Sequence, residues 1–170
     1  MQGFGDSPIE VLTTRATLAG AIFVSHFTYN IAYLDGTATD IAANGTTAAQ
    51  LQINADSDFV CQAINLVSWS AADTLEVDPD YTLLLTVAGS GRQLMNQAVA
   101  VLNICGNYTD GQVPARLNMP FLLSANTTLT STIVNRSATA VNRCDLTFDG
   151  YKVFYNEKAT RTSVFPGYNY

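Results

Sequence analysis

The sequence of 170 residues has few of the side chains from which most active sites are built. It contains one histidine, His26, and two lysines, Lys152 and Lys158, and charged residues make up only 13% of the chain. Proton transfer, nucleophilic attack and transition-metal binding draw mainly on histidine, cysteine, lysine and carboxylate clusters. The composition therefore favours a role other than catalysis, and we predict no enzymatic activity and no cofactor.

Basic residues are also too sparse and too dispersed to follow a nucleic-acid backbone. The six arginines stand singly along a chain of net charge -6, and a phosphate-binding protein needs a basic stripe. The longest apolar stretch, residues 16–24, falls short of the roughly 20 residues that a membrane helix requires. Residues 1–10 lack the basic start and apolar centre of a secretory signal. We expect neither a nucleic-acid nor a membrane partner, and no export.

The cysteines are three in number and include no C-x-x-C pair. Each of them, Cys61, Cys105 and Cys144, stands within an apolar run. An odd, dispersed set of this kind is typical of buried free thiols rather than of disulfides or a metal site.

What the chain has in quantity is two-residue alternation of apolar and polar side chains, which predicts β-strands. In residues 81–88, Tyr81, Leu83 and Leu85 share one face of an extended strand. Similar patterns occur in residues 21–34, 97–105, 127–134 and 144–155. A continuous apolar strand is expected at residues 59–69 and a short strand at residues 51–54. No stretch has a helical period. The fold class predicted is all-β, an antiparallel sandwich or barrel, with an immunoglobulin-like fold as the rival.

Between these strands, turn residues predict the connections. Residues 37–49 are rich in Ala, Thr and Gly and are expected to form a loop. Pro120 can stand only at the start or edge of a strand, so residues 121–123 are predicted to be a short edge piece.

Residues 59–69 are apolar on both faces of the predicted strand. A strand of this kind must be covered on both sides. We therefore predict that Phe59, Val60 and Ile64 contribute to an interface with a neighbouring subunit.

The alternation of apolar and polar residues in the last predicted strand changes phase at Gly150. Cys144, Leu146 and Phe148 stand at even positions, whereas beyond Gly150 the apolar residues stand at odd positions. A one-residue bulge at Gly150 would restore the register. A regular strand would instead turn Lys152 into the core, which costs several kcal/mol unless the ammonium is paired, so the bulge is the preferred hypothesis.

Three arrangements that could carry chemistry are weaker than their structural alternatives. Ser25 and His26 are adjacent on a strand and so point to opposite faces. A metal-dependent enzyme would need His26 together with Asp56 and Asp58, but metal sites on double-stranded sheet folds use several histidines. The acidic residues of the 71–80 segment lack the spacing of a calcium loop. These are Asp73, Glu76, Asp78 and Asp80.

Several short segments taken in order are similar to a known family. They are residues 56–59 (DSDF), 89–94 (GSGRQL), 117–120 (LNMP), 124–126 (SAN), 135–137 (NRS) and 148–152 (FDGYK). In this order they resemble virion proteins of tailed bacteriophages that consist of a single jelly roll. The resemblance spans residues 56–154 and implies a capsid decoration or cement protein, a homotrimer that sits on the head shell and binds the major capsid protein.

The residues outside the matched part suggest how such a protein could attach. We treat the chain as one domain with an N-terminal arm, residues 1–17, and a C-terminal tail, residues 157–170. Phe165, Tyr168 and Tyr170 stand in a tail too short to form its own core, so they are candidate interface residues. The location expected is the virion, after synthesis in the host cytoplasm.

The alternative is a tail or connector module that binds a receptor or glycan through loops at one end of the sandwich, residues 37–49 and 71–79. Trp69 and Tyr81 are the only aromatic residues that flank those loops.

Overall fold

The structure is a computed structural model that describes residues 21–33, 41–70, 80–88, 94–105, 115–138 and 141–155. These residues form eight strands and one short 3-10 helix. The strands are β1 (Ala21–Ala32), β2 (Thr46–Gln52), β3 (Asp58–Ser70), β4 (Tyr81–Val87), β5 (Val99–Ala100), β6 (Ala115–Leu123), β7 (Thr128–Asn135) and β8 (Val141–Tyr155), with the 3-10 helix at Val101–Asn103.

The strands form two four-stranded antiparallel sheets, in the orders β1-β8-β3-β6 and β2-β7-β4-β5. The first strand pairs with the last, the second with the seventh, the third with the sixth and the fourth with the fifth. This is one long antiparallel hairpin rolled into two layers, which is the jelly-roll arrangement. The predicted fold class is confirmed, and the strand order is not that of an immunoglobulin domain. The predicted terminal arm and tail lie outside the described residues.

The core lies between the two sheets and takes one face of nearly every strand. Phe59 and Phe148 from one sheet and Leu83 and Leu129 from the other are fully buried. Burying each such side chain contributes roughly 2–3 kcal/mol relative to leaving it in water. At one end of the core, the Tyr33 hydroxyl forms a hydrogen bond with Ser131 and so joins the two layers.

Two sequence predictions of local structure were wrong. Residues 46–49, expected in a loop, belong to β2, because pairing with β7 sets Leu51 against Leu129 in the core. The strand expected at residues 97–105 is only two residues long. There the chain turns into a 3-10 helix, and the amide of Cys105 donates to the carbonyl of Val101 over 2.8 Å, so that both side chains are buried on one side.

The edge position of the segment after Pro120 is confirmed, although its strand is longer than predicted. β6 lies at the edge of its sheet and pairs with β3 on either side of a break, from Phe121 to Cys61 and from Arg116 to Ala63. Pro120 stands in that break, where no ladder hydrogen bond is required of it.

The bulge predicted at Gly150 lies instead in the neighbouring strand. β8 is regular through Gly150 beside β1, and the register shift near that glycine occurs in β3, between Cys61 and Ala63. Gln62 is the extra residue. The shift brings Phe59 and Cys61 before it, and Ile64 and Leu66 after it, onto the same inward face. The two-sided apolar pattern of residues 59–69 therefore has an explanation within the chain.

Candidate functional site

Because β8 has no bulge at Gly150, Lys152 points into the sandwich, the orientation that the sequence analysis had rejected. Its side chain is only 7% exposed. It is in register with Phe59 of β3, and along β8 it follows Phe148 and Gly150 on the inward face. The protein thus adopts the regular strand with an inward Lys152, the alternative that was set aside because burying the ammonium is costly.

The ammonium of Lys152 is compensated by aromatic rings and a carboxylate. Its Nζ lies 4.2 Å from the ring centre of Phe27 and 5.9 Å from that of Tyr29. The Oδ1 of Asp56 lies 3.5 Å away at the mouth of this pocket. Cation–π contacts gain strength when the cation is shielded from water, and the charge pair keeps the amine from being buried alone.

Asp56 is itself held in the ionised form. The hydroxyl of Ser57 donates to its Oδ1 over 2.9 Å, and this hydrogen bond, followed by the nearby Lys152 ammonium, lowers the pKa of Asp56. The carboxylate is exposed, so its partnership with Lys152 is screened by solvent. The Lys152 pocket is a structural anchor that closes one end of the sandwich.

The outward face of the β1-β8-β3-β6 sheet carries a second polar group around His26. Nε2 of His26 lies 2.8 Å from Oδ1 of Asp149, and the hydroxyl of Thr28 donates to the same oxygen over 2.9 Å. The His26 ring also meets Tyr151 edge-on. The histidine side chain is 62% exposed, so the pair lies on an open sheet surface and not in a cleft.

Further along the same face, Arg143 connects an aromatic residue with a carboxylate. Its guanidinium lies 4.7 Å from the ring centre of Trp69, and its Nη2 lies 2.6 Å from Oδ2 of Asp145. The other oxygen of Asp145 is buried without a hydrogen-bond partner, as is Oδ1 of Asn65. These two acceptors stand on the neighbouring strands β3 and β8.

Charge is divided very unevenly between the two sheets. The strands of β1-β8-β3-β6, which we call the charged sheet, hold every charged residue found in a strand and the single histidine. Those charged residues are Asp58, Arg116, Arg143, Asp145, Asp149 and Lys152. The strands of β2-β7-β4-β5, the uncharged sheet, contain no Asp, Glu, Lys, Arg or His.

The outward face of the uncharged sheet is dominated by threonine. Along each strand its residues alternate with the buried core positions, and all of them are at least partly exposed. They are Thr46, Ala48, Gln50, Gln52, Thr82, Leu84, Thr86, Ala100, Thr128, Thr130, Thr132 and Val134. We refer to these twelve residues as the threonine face.

The predicted interface residues fall into two groups. Phe59 and Ile64 are 0% and 1% exposed in the intersheet core, and Val60 is 3% exposed on the other side of β3. All three are buried within the single chain, so their apolar character requires no neighbouring subunit. Phe165, Tyr168 and Tyr170 lie outside the described residues, and their role stays a prediction.

The residues of the rival metal hypothesis are held by different partners. His26 pairs with Asp149, Asp56 with Lys152, and the carboxylate of Asp58 accepts the backbone amide of Ala125 over 2.7 Å. Within the described residues, no group of three His, Cys, Asp or Glu side chains is arranged to hold a metal ion. Of the acidic residues of the 71–80 segment, Asp80 alone is described, and it is exposed.

Two features of these surfaces escaped the sequence analysis. The pairing of His26 with Asp149 depends on β1 and β8 being neighbours, which the 122 residues between these two positions conceal. The threonine face had a visible signal, since residues 46–52, 81–87 and 128–135 are all free of charge. Only the strand order, however, places these segments side by side.

Within the described parts of the chain, no helix is long and apolar enough to cross a membrane.

Comparison with known proteins places the chain in no family. No family model and no curated protein matches it. Among solved structures, a subviral particle of VP2 from infectious bursal disease virus is similar over 80% of this chain, with 12% identity and a TM-score of 0.34. An exo-beta-1,3-galactanase from Phanerochaete chrysosporium is similar over 75% of the chain, with 11% identity and a TM-score of 0.26. The chain covers 43% and 27% of those two chains. Similarity at this distance assigns no activity.

Proposed function

We propose that this protein is a non-enzymatic structural component of a bacteriophage virion, a decoration or cement protein that binds the outside of the head shell and stabilises it. The observation that carries the proposal is the complete eight-stranded jelly roll, an architecture used by viral capsid domains. The resemblance of residues 56–154 to jelly-roll virion proteins supports the same role.

The chemistry of the described residues fits a role based on contact area. The polar groups that the fold brings together anchor strands: Lys152 closes one end of the core, and Asp58 holds the turn after β6 through the Ala125 amide. Many shallow contacts repeated by the symmetry of a shell give tight attachment without a deep pocket. In this proposal the protein acts as a homotrimer and its partner is the major capsid protein of the same virion.

Co-sedimentation tests this proposal. The purified chain is mixed with assembled head shells of the phage that encodes it and is centrifuged through a sucrose cushion, with shells of an unrelated phage as the control. We expect saturable pelleting at a fixed ratio to the capsid protein, and decorated shells that withstand a higher temperature. A chain that stays in the supernatant at micromolar concentration would exclude the decoration role.

A tail or connector module that binds a receptor or glycan is the second candidate, and one observation favours it. Trp69, Arg143 and Asp145 place an aromatic ring, a guanidinium and a carboxylate together at one end of the charged sheet. Sugars are bound by such combinations of a ring and polar groups.

The two candidates are distinguished by Trp69→Ala. A glycan-binding module would lose adsorption to host cells with this variant, whereas a decoration protein would pellet with shells as before. Asn30→Ala, on the same outward face but away from Trp69, is the matched control for either assay.

A further inference from the structure

We infer that the threonine face is the surface through which copies of this chain pack against one another. The inference rests on the proposed structural role and adds to it the face and the partner, a second copy of the same chain.

The first argument is that this face is open while the opposite one is partly covered. On the outward side of the charged sheet, Val60, Leu122 and Val153 are at most 5% exposed within the single chain. None of the twelve residues of the threonine face is buried. The outward side of the uncharged sheet is therefore accessible for contact with another molecule.

The second argument is charge. Two identical chains each carry a net charge of -6, so a contact between them is opposed wherever charged groups of one sign face each other. The uncharged sheet has no ionised side chain to desolvate, and depletion of charge is the compositional mark of an interface centre. The charge division thus favours an identical copy on the threonine face.

The third argument is shape and chemistry. Leu84 and Val134 form a small apolar centre, surrounded by Thr82, Thr130 and Thr132. Threonine side chains are short and β-branched, so they leave a flat surface against which another sheet can pack about 10 Å away. Their hydroxyls both donate and accept, so two such faces satisfy each other directly or through water.

The size of the face sets the expected strength. Three strands about 4.8 Å apart and seven residues long cover roughly 14 by 24 Å. This footprint is smaller than the roughly 800 Å² per partner of a standard stable interface. Association through this face alone is therefore expected to be reversible and to depend on concentration.

Sedimentation equilibrium from about 10 μM to 1 mM tests the inference, with Thr132→Lys and Thr132→Glu as the variants. Thr132 lies on β7 near the centre of the face. In a contact between two threonine faces, a charge of either sign is desolvated against an uncharged surface, so both variants should stay at the 18.3 kDa of one chain while the wild type associates. Asn30→Lys and Asn30→Glu, on the outward side of β1, should associate like the wild type.

Gln50→Lys and Gln50→Glu serve as a second pair at an exposed position of the same face, should the Thr132 variants fail to fold. A wild type that remains a single chain up to 1 mM overturns the inference, as do folded Thr132 variants that associate normally. Association strengthened by one sign of charge also overturns it, because in a sample of this chain alone it indicates contact with an oppositely charged surface of the other copy and not with its threonine face.

The same samples separate this inference from the proposed function. A monomeric wild type that still pellets with head shells refutes the self-contact, and with it the homotrimer, but leaves the binding to the head shell in place. A chain that associates through the threonine face and does not bind shells refutes the decoration role alone.

Discussion

Gly150 of β8 lies directly against the backbone of Val60 in β3. A Cβ atom on residue 150 would overlap the carbonyl oxygen of Val60 and stand 3.0 Å from Cζ of Phe59. The glycine is needed for this close approach, next to the bulge at Gln62 that sets the phase of β3. The absence of a side chain at residue 150 therefore permits the close contact of β3 and β8. This contact lies beside the register shift at Gln62 and two residues before Lys152, which points inward.

Gly150→Ala should destabilise the protein by roughly 3 kcal/mol, because the neighbour that must move is a strand backbone inside a packed sheet. Chemical denaturation monitored by tryptophan fluorescence measures the change. Asn30→Ala, exposed on β1, is the control and should shift the free energy of unfolding by less than about 0.5 kcal/mol. Equal stability of Gly150→Ala and the wild type would show that the two strands are farther apart than described.

We expect the packing of the Lys152 side chain to contribute more to the stability of the protein than its charge does. Lys152→Met keeps an unbranched side chain of similar length and removes the buried ammonium, so we expect stability within about 1 kcal/mol of the wild type, or above it. Lys152→Ala loses the methylene groups packed against Phe27 and leaves a cavity, which should cost about 2–3 kcal/mol. If the two variants are equally destabilised, the ammonium itself is the stabilising group.

The three thiols should be inert in the folded protein. Cys61, Cys105 and Cys144 are all buried thiols. Burial raises the pKa of Cys61 and raises that of Cys105 to about 12, so very little reactive thiolate exists near neutral pH. Ellman's reagent at pH 8 should detect no thiol before unfolding and three thiols per chain in denaturant. Rapid modification of the native protein would contradict this burial.

Tyr33 should make the protein sensitive to alkali. Burial raises the pKa of its phenol above the ordinary value of 10.0, so the folded state favours the neutral form. This contribution to stability is complete below pH 10 and is lost as pH rises further, because the unfolded phenol ionises first.

The variants Tyr33→Phe and Ser131→Ala separate the two roles of this tyrosine. Each loses the hydrogen bond between Tyr33 and Ser131, and each should cost about 1–2 kcal/mol at pH 7. Above pH 10 the cost of Tyr33→Phe should shrink, whereas Ser131→Ala retains the ionisable phenol. Denaturation curves from pH 7 to 11 measure both, and parallel pH dependence of the two variants would contradict the assignment.

The sequence alone determined the fold class and most of the strands. Two-residue alternation in residues 81–88 and 127–134 predicted strands that the structure contains as β4 and β7, since a half-buried strand needs one apolar face whatever it pairs with. The burial of the three cysteines followed from their apolar neighbours in the same way.

The tertiary structure alone decided the register and the surfaces. The bulge could lie at Gly150 of β8 or at Gln62 of β3, and its position depended on how closely these two strands could approach each other. Because the bulge lies at Gln62, Lys152 points into the core beside aromatic rings of β1. The threonine face likewise exists only because the jelly-roll order sets three uncharged segments side by side. Alternation is a property of each strand by itself, whereas register and sheet order are properties of pairs of strands far apart in the chain.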